Sequence, residues 1–333
     1  MPAREQDREK TGGSSGSARS TPDANSSSAS SAGQADEEGL ALWLGGRSRD
    51  EVVRDRLSAF GRKPERVPAE GAAGLAEHAE LLRPYLPRMD RRHWLRRSRG
   101  VDPPVDLKLV QDSYVWRRIL EETGLRTGGS LLELLPGFSR TVPFALCGAG
   151  VDCRLTRIDR DTSWAAPRSA GDKVALRLLE LDLFSPEHSW AGYDFVVGNH
   201  VLDDLIIAAW DDRRYRLSFG RAEESALLWR DFRSCGESAR VIAEVTDLFA
   251  RLIRTMDPGA VLVLREYPAT FALVNGIREQ MELHWRIYRA VAGLVASLPG
   301  TAWEQDVSAL PVADGSRLTG GVLCFRSGPA PAG

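Results

Sequence analysis

The sequence predicts an α/β protein, a mostly parallel sheet wrapped by helices with a helical segment in front of it. Three observations carry that prediction. From about residue 130 short apolar runs alternate with helical stretches, the pattern of a parallel sheet built from crossover units. The runs 131–135 and 153–158 flank a Pro136–Gly137 turn and an apolar helical stretch over 140–147, and the second run ends on Asp159 and Asp161. Strand, tight turn, helix, strand and acid in that order make half of a nucleotide-binding βαβ unit. Before residue 126 the apolar residues recur at helical spacing instead, so that region reads as helices.

Residues 1–38 hold little besides Ser, Gly, Ala and charge; they cannot bury enough apolar surface to offset their ordering entropy and are expected to be a disordered tail. Residues 39–105 read as a helical N-terminal cap, with helices over 51–60 (Val52, Val53, Leu57, Phe60) and 75–86 (Leu75, Leu81, Leu82, Leu86). A third helix over 106–125 carries Leu109, Tyr114, Val115, Ile119 and Leu120. Strands are expected at 131–135, 154–159, 174–182, 193–198 and 260–266, with two more near 303–310 and 318–326. Helices are expected at 140–147, 238–256 and 274–298, and the polar stretch 211–236 reads as an insertion or a longer helical connection. Gly148 and Gly150 follow a helix rather than a strand, so they read as left-handed helix terminators and not as a dinucleotide fingerprint.

Composition narrows the function. The 333 residues are 43% hydrophobic and 27% charged with a formal net charge of −2, which argues against a protein ruled by attraction to nucleic acid or membrane. No apolar run approaches the ~20 residues of a membrane span, and the N-terminus lacks the apolar core of a secretion signal. Cys147, Cys153, Cys235 and Cys324 show no zinc or redox spacing, so no metal site is expected and the four read as buried thiols of a cytoplasmic protein. The run from Arg88 to Arg99 carries His93 and Trp94 among arginines; it is either a solvated helix face or a phosphate-contacting surface.

Open α/β sheets bind ligands beyond the carboxyl ends of their strands, where strand order reverses. Four such ends carry polar groups: Glu133 with the Pro136–Gly137–Phe138–Ser139 turn, Asp159 with Asp161, Asp182, and Asn199 with His200. In this series, from about residue 110 onward, the chain resembles the class I, Rossmann-like S-adenosylmethionine-dependent methyltransferases. The family's acid-x-Gly-x-Gly-x-Gly loop aligns with Glu133-Leu134-Leu135-Pro136-Gly137-Phe138-Ser139. The middle glycine is kept at Gly137, while Leu135 and Ser139 replace the other two; the leucine must turn its side chain away, and Ser139 can cap the following helix.

The resemblance implies a methyltransferase-like domain over 106–328 with an antiparallel last strand and S-adenosylmethionine as cofactor. It places Glu133, Pro136, Gly137 and Ser139 at the cofactor's loop, Asp159 (or Asp161) on the ribose hydroxyls and Asp182 on the adenine amino group. Leu183 and Phe184 would flank the ring, and Tyr114 would close over the cofactor as a lid, with Trp116 in the core. Asn199 and His200 would stand where the sulfonium meets the acceptor. His200 is the candidate general base, with Asp203 or Asp204 available to orient it, or else a residue bonded to a backbone carbonyl beside a helix start. His284 and Trp285 read as packing or pocket residues.

The expected activity is methyl transfer to an oxygen or nitrogen of a small-molecule acceptor. The altered glycines keep open a non-catalytic methyltransferase-fold binding or assembly protein. The basic run keeps open an RNA methyltransferase, and a nicotinamide oxidoreductase lacks its glycine fingerprint.

Overall fold

The computed structural model describes residues 41, 43–59, 73–82, 107–137, 139–160, 173–186, 188–210, 222–305 and 320–329. The expected tail 1–38, the Arg88–Arg99 run, Phe138 and Asp161 lie outside them. In chain order the elements are α1 (Arg49–Ala59), α2 (Ala73–Leu82), α3 (Leu107–Thr123), β1 (Ser130–Leu134), α4 (Thr141–Ala149), β2 (Cys153–Asp159), β3 (Val174–Glu180) and β4 (Phe195–Asn199). They continue with α5 (Leu202–Trp210), α6 (Ala222–Ser234), α7 (Ser238–Ile253), β5 (Val261–Glu266), α8 (Thr270–Asn275), α9 (Arg278–Ser297), β6 (Gly300–Glu304) and β7 (Gly321–Ser327).

The strands form one sheet of order β3-β2-β1-β4-β5-β7-β6. β1 to β5 pair in parallel, and β7 runs antiparallel between β5 and β6. This is the Rossmann-like methyltransferase sheet that the resemblance implied. All five residues of β1 are buried, because a central parallel strand is covered on both faces and cannot alternate. β3, at the sheet edge, exposes Ala175, Arg177, Leu178 and Glu180.

One face is covered by a large cluster from α5, α6, α7 and α9, including Leu205, Trp229, Phe249 and Ile287. The other is covered by α3 and α4 through Trp116, Ile119, Val142 and Leu146. A small third cluster docks α2 on α3 and α4, with Leu75 and Leu82 against Val110, Tyr114 and Phe144.

Local chemistry sets the boundaries. Ser139 Oγ accepts the Thr141 N–H at the first residue of α4, and Pro143 sits in the first turn, where its missing donor costs nothing. Gly150 ends α4 in the left-handed conformation, whereas Gly148 lies inside the helix. The expected 274–298 helix is two helices: Gly276 is left-handed and closes α8 before α9 begins. The stretch 211–236, read as an insertion or a longer helical connection, contains α6, whose apolar residues Leu228, Trp229 and Phe232 are buried. Cys235 is exposed and corrects the expectation of four buried thiols; Cys153 and Cys324 are buried and Cys147 partly so. No helix among the described residues is long and apolar enough to cross a membrane.

Candidate functional site

Strand order reverses between β1 and β4, and their paired register ends at Leu134 opposite Gly198. The candidate residues gather beyond this point.

On the β1–β2 side, Glu133 is fully buried and its Oε2 accepts from Arg157 Nε at 2.7 Å. Burial pushes the Glu133 carboxyl up, although the guanidinium opposes it. Its other oxygen, Oε1, is buried with no partner among the described residues. Arg157 also reaches forward to donate to the Ser139 carbonyl, which ties β2 to the loop. Gly137 N–H donates to Asp159 Oδ2 at 3.0 Å, and the Pro136 carbonyl accepts the Ser139 N–H at 2.8 Å. Gly137 is left-handed, and a Cβ placed there would meet nothing within 4 Å among the described residues, which leaves the backbone open to a ligand on their side.

Leu135 is left-handed too, with φ of 42°, a conformation that costs an ordinary residue about 1–3 kcal/mol. Its side chain turns into the large core cluster and is only 6% exposed, as a leucine at a glycine position must. The averted Leu135 expected from the sequence is therefore present, whereas the N-cap position of α4 is Arg140, not Ser139, and Ser139 Oγ makes only a local turn bond to the Thr141 N–H.

The next positions divide. Asp159 is the last residue of β2 and largely buried. Asp182 lies two residues beyond β3, not at its end, with Oδ2 on Arg160 at 2.8 Å and Oδ1 on the Phe184 N–H at 3.0 Å. Leu183 is 2% exposed and packs in the core, with partly buried Phe184 beside it. Tyr114 also departs from expectation. It packs in the cluster with Leu75, Leu82, Val110 and Phe144, beside His78 at 5.8 Å, where it docks α2 on α3.

The residues of α3 that do face the strand ends lie one turn apart. Lys108 pairs with Asp112, Asp112 with Arg265 at 3.1 Å, and Trp116 Nε1 donates to Asn199 Oδ1 at 2.7 Å. Burial favours a neutral Asp112, but Lys108 and Arg265 outweigh it and hold its carboxyl down to about 2.

On the β4–β5 side, His200 follows β4 in a left-handed backbone, φ 62°, stacked on Tyr267 at 4.4 Å and 7°. Its Nε2 lies 3.0 Å from Asp203 Oδ2, and its Nδ1 lies 3.9 Å from Glu266 Oε2. Glu266, the end of β5, is fully buried; its Oε1 accepts the Val201 N–H at 3.0 Å and its Oε2 meets His284 Nε2 at 2.8 Å. His284 is buried on α9, under the edge of Trp43 at 4.4 Å. Asp203 therefore orients His200.

Asp204 shows the sign of the local field: burial first, then Asp203, Asp159 and Glu266, push its carboxyl well above the usual range. Burial acts the same way on Asp203, but His200 beside it outweighs burial and holds that carboxyl low. A crowd of carboxylates between the two halves of the sheet edge favours a cationic ligand.

Sequence reasoning missed Glu266 and read His284 as a packing or pocket residue. The signal available was an acid closing the fifth strand, the same signal that singled out Asp159. Trp43, over His284, could not be paired with it by any spacing rule.

No protein-family model matches the chain, and no curated protein sequence does. Among solved structures it is similar to an N-methyltransferase from Bradyrhizobium japonicum, at 12% identity over 67% of this chain and 97% of that one, TM-score 0.35. It is also similar to an O-methyltransferase from Bacillus cereus in complex with S-adenosylhomocysteine, at 14% identity over 79% and 94%, TM-score 0.36. A third is a phosphoethanolamine N-methyltransferase from Haemonchus contortus with S-adenosylmethionine, at 12% identity over 72% and 60%, TM-score 0.34. The fold assignment itself rests on the strand order and register of this chain.

Proposed function

We propose that the protein is an S-adenosylmethionine-dependent methyltransferase acting on an oxygen or nitrogen of a small-molecule acceptor. The single observation that carries the reading is the pairing of an open, left-handed Gly137 with a carboxylate field at the strand-order reversal. The backbone admits a ligand where Gly137 meets Asp159, and the acids Asp159, Asp203 and Glu266, whose field pushes Asp204 toward its neutral form, favour positive charge beside it. S-adenosylmethionine fits both demands, since it carries a ribose for a carboxylate to hold and a sulfonium cation. The buried Glu133 Oε1, unpartnered among the described residues, offers one more acceptor beneath the loop.

In this reading Gly137 gives the loop its close approach and Pro136 and Ser139 fix its turn. Asp159 binds the ribose hydroxyls, the role that the resemblance implies for an acid at the end of β2. Asp182 serves the adenine side once Arg160 yields one of its oxygens. Asn199, anchored by Trp116, and His200 border the acceptor. When bound, the cofactor supplies an electrophilic methyl group, and the chain's part is mainly positioning, because an oriented in-line approach can supply several kcal/mol of the barrier. His200 acts on the acceptor: its Nε2 is held by Asp203 at 3.0 Å, while its Nδ1 lies 3.9 Å from Glu266 Oε2, beyond hydrogen-bond distance, and is the nitrogen that would serve as a base.

The basic Arg88–Arg99 run is not needed for this chemistry, and we propose a cytoplasmic enzyme without a membrane role. Hydrogen exchange with and without S-adenosylmethionine tests the placement. Slower exchange is expected at residues 133–141 and 155–160, with little change along α7, and no protection in the loop on saturation would overturn the assignment.

A further inference from the structure

We infer that His200, Glu266 and His284 form a binding site for a first-row divalent cation at the carboxyl ends of β4 and β5. One donor atom from each of the three lies within 4.8 Å of the other two. Glu266 Oε2 is the hub, 2.8 Å from His284 Nε2 and 3.9 Å from His200 Nδ1. Ligand atoms around a tetrahedral cation with bonds of ~2.0–2.1 Å stand about 3.3 Å apart, so these separations bracket what a shared ion needs.

Each donor is aimed by its surroundings. Glu266 has its Oε1 engaged by the Val201 N–H, which leaves Oε2 for the site. His200 has Asp203 on Nε2 and Tyr267 stacked on its face, which directs Nδ1 toward Glu266. An imidazole ligand whose second nitrogen bonds a carboxylate is the usual outer support of a metal site. His284 is buried and braced by Trp43. The three come from a loop, a strand and a helix, so the site is assembled by the tertiary fold, and His200 holds a left-handed backbone to join it.

The donor set chooses the ion. Two imidazoles and one carboxylate suit zinc, iron(II) or manganese(II), whereas magnesium and calcium prefer oxygen throughout. Three protein ligands leave further positions open, as sites that act on substrates do. Taken with the proposed methyl transfer, on which this role rests, the open position would take an oxygen of the acceptor, so a hydroxyl-bearing acceptor is the class implied. Polarisation by the cation releases the hydroxyl proton to solvent. The oxygen's electron pair then bonds the methyl carbon while the carbon–sulfur bond breaks and its pair leaves on sulfur. His200 serves here as a ligand.

The test uses the full chain, stripped with chelator and desalted, titrated with cobalt(II) and then zinc(II) in the absence of any adenosyl compound. One equivalent of cobalt with visible absorption, displaced by zinc, is expected, and Glu266→Gln or His284→Ala should each weaken it by about 100-fold or more. His200→Ala, whose side chain is not in the core, serves if the buried variants fail to fold, and should weaken cobalt binding similarly. No cobalt or zinc bound by folded wild type, or binding unchanged by these substitutions, overturns the site. S-adenosylhomocysteine titrated separately keeps the two readings apart: cobalt bound without it supports the site and sinks the cofactor, and the reverse result sinks the site alone.

Discussion

At the ends of β1 and β2, acids are answered by donors. Glu133 has Arg157, and Asp159 has the Gly137 N–H. At the ends of β4 and β5, acids and imidazoles face one another instead: Asp203 with His200, and Glu266 with both His200 and His284. The first region is a closed frame whose partners fix a loop, and the second is a set of converging donors. A frame suits a cofactor bound the same way in every cycle; converging donors suit whatever must be polarised or exchanged. The boundary between them is marked by Asp204, which burial and acids of both regions push toward neutrality.

The largest expected effect breaks the frame. Arg157→Ala strands a buried carboxylate at Glu133, and loss of one partner from such a pair costs about 3–5 kcal/mol; the midpoint of urea unfolding measures it. Replacing both residues with apolar ones of similar volume should restore most of the loss, which would show that the frame serves the loop more than stability.

Gly198→Ala strikes the other region. Its Cβ would stand 2.7 Å from Leu264 Cδ2 and 3.0 Å from Val201 Cγ2, between β4 and β5. Overpacking of that kind costs ~1–3 kcal/mol, and the shift should disturb His200 more than Gly137.

Leu135→Gly sets two terms against each other within the loop. Relief of the left-handed backbone returns roughly 1–3 kcal/mol, while loss of a buried leucine takes about 2–5 kcal/mol. A net loss near 2 kcal/mol is expected, and a more stable glycine variant would show that Leu135 anchors nothing.

The smallest effect belongs to the helical cap and serves as a control outside both regions. Burial, helped by Arg117, lowers the His78 pKa from 6.5 to about 3. The folded state then binds fewer protons than the unfolded one between those values, so this contribution is fully present above 6.5 and is lost as pH falls toward 3. Its slope is about 1.4 kcal/mol per pH unit. Unfolding midpoints at pH 6.5 and 5.5 should fall in the wild type and fall less in His78→Gln, with both strand-end regions intact.

The sheet was legible in the sequence because buried parallel strands are written as apolar runs. Even the antiparallel return through β7 followed from the resemblance. Glu133, Gly137, Asp159, Asn199 and His200 were legible for a related reason: each sits where such a run stops. What escaped was set by tertiary contact. The resemblance alone places Tyr114 over the cofactor, but it packs with α2, and Leu183 follows an acid but falls into the core. Arg157 reads as one more strand residue until Glu133 is placed beside it. The Glu266–His284 contact joins residues 18 apart in sequence, a pairing that no periodicity encodes.

The measurement that bears most directly on the central claim is calorimetric titration of the wild-type chain with S-adenosylhomocysteine, with NADH as control. Saturable binding of the adenosyl compound at one site is expected, weakened roughly 10-fold or more in Asp159→Ala by loss of a charged hydrogen-bond acceptor, with no binding of NADH. Folded protein that binds NADH, or that takes up neither compound, would contradict the account.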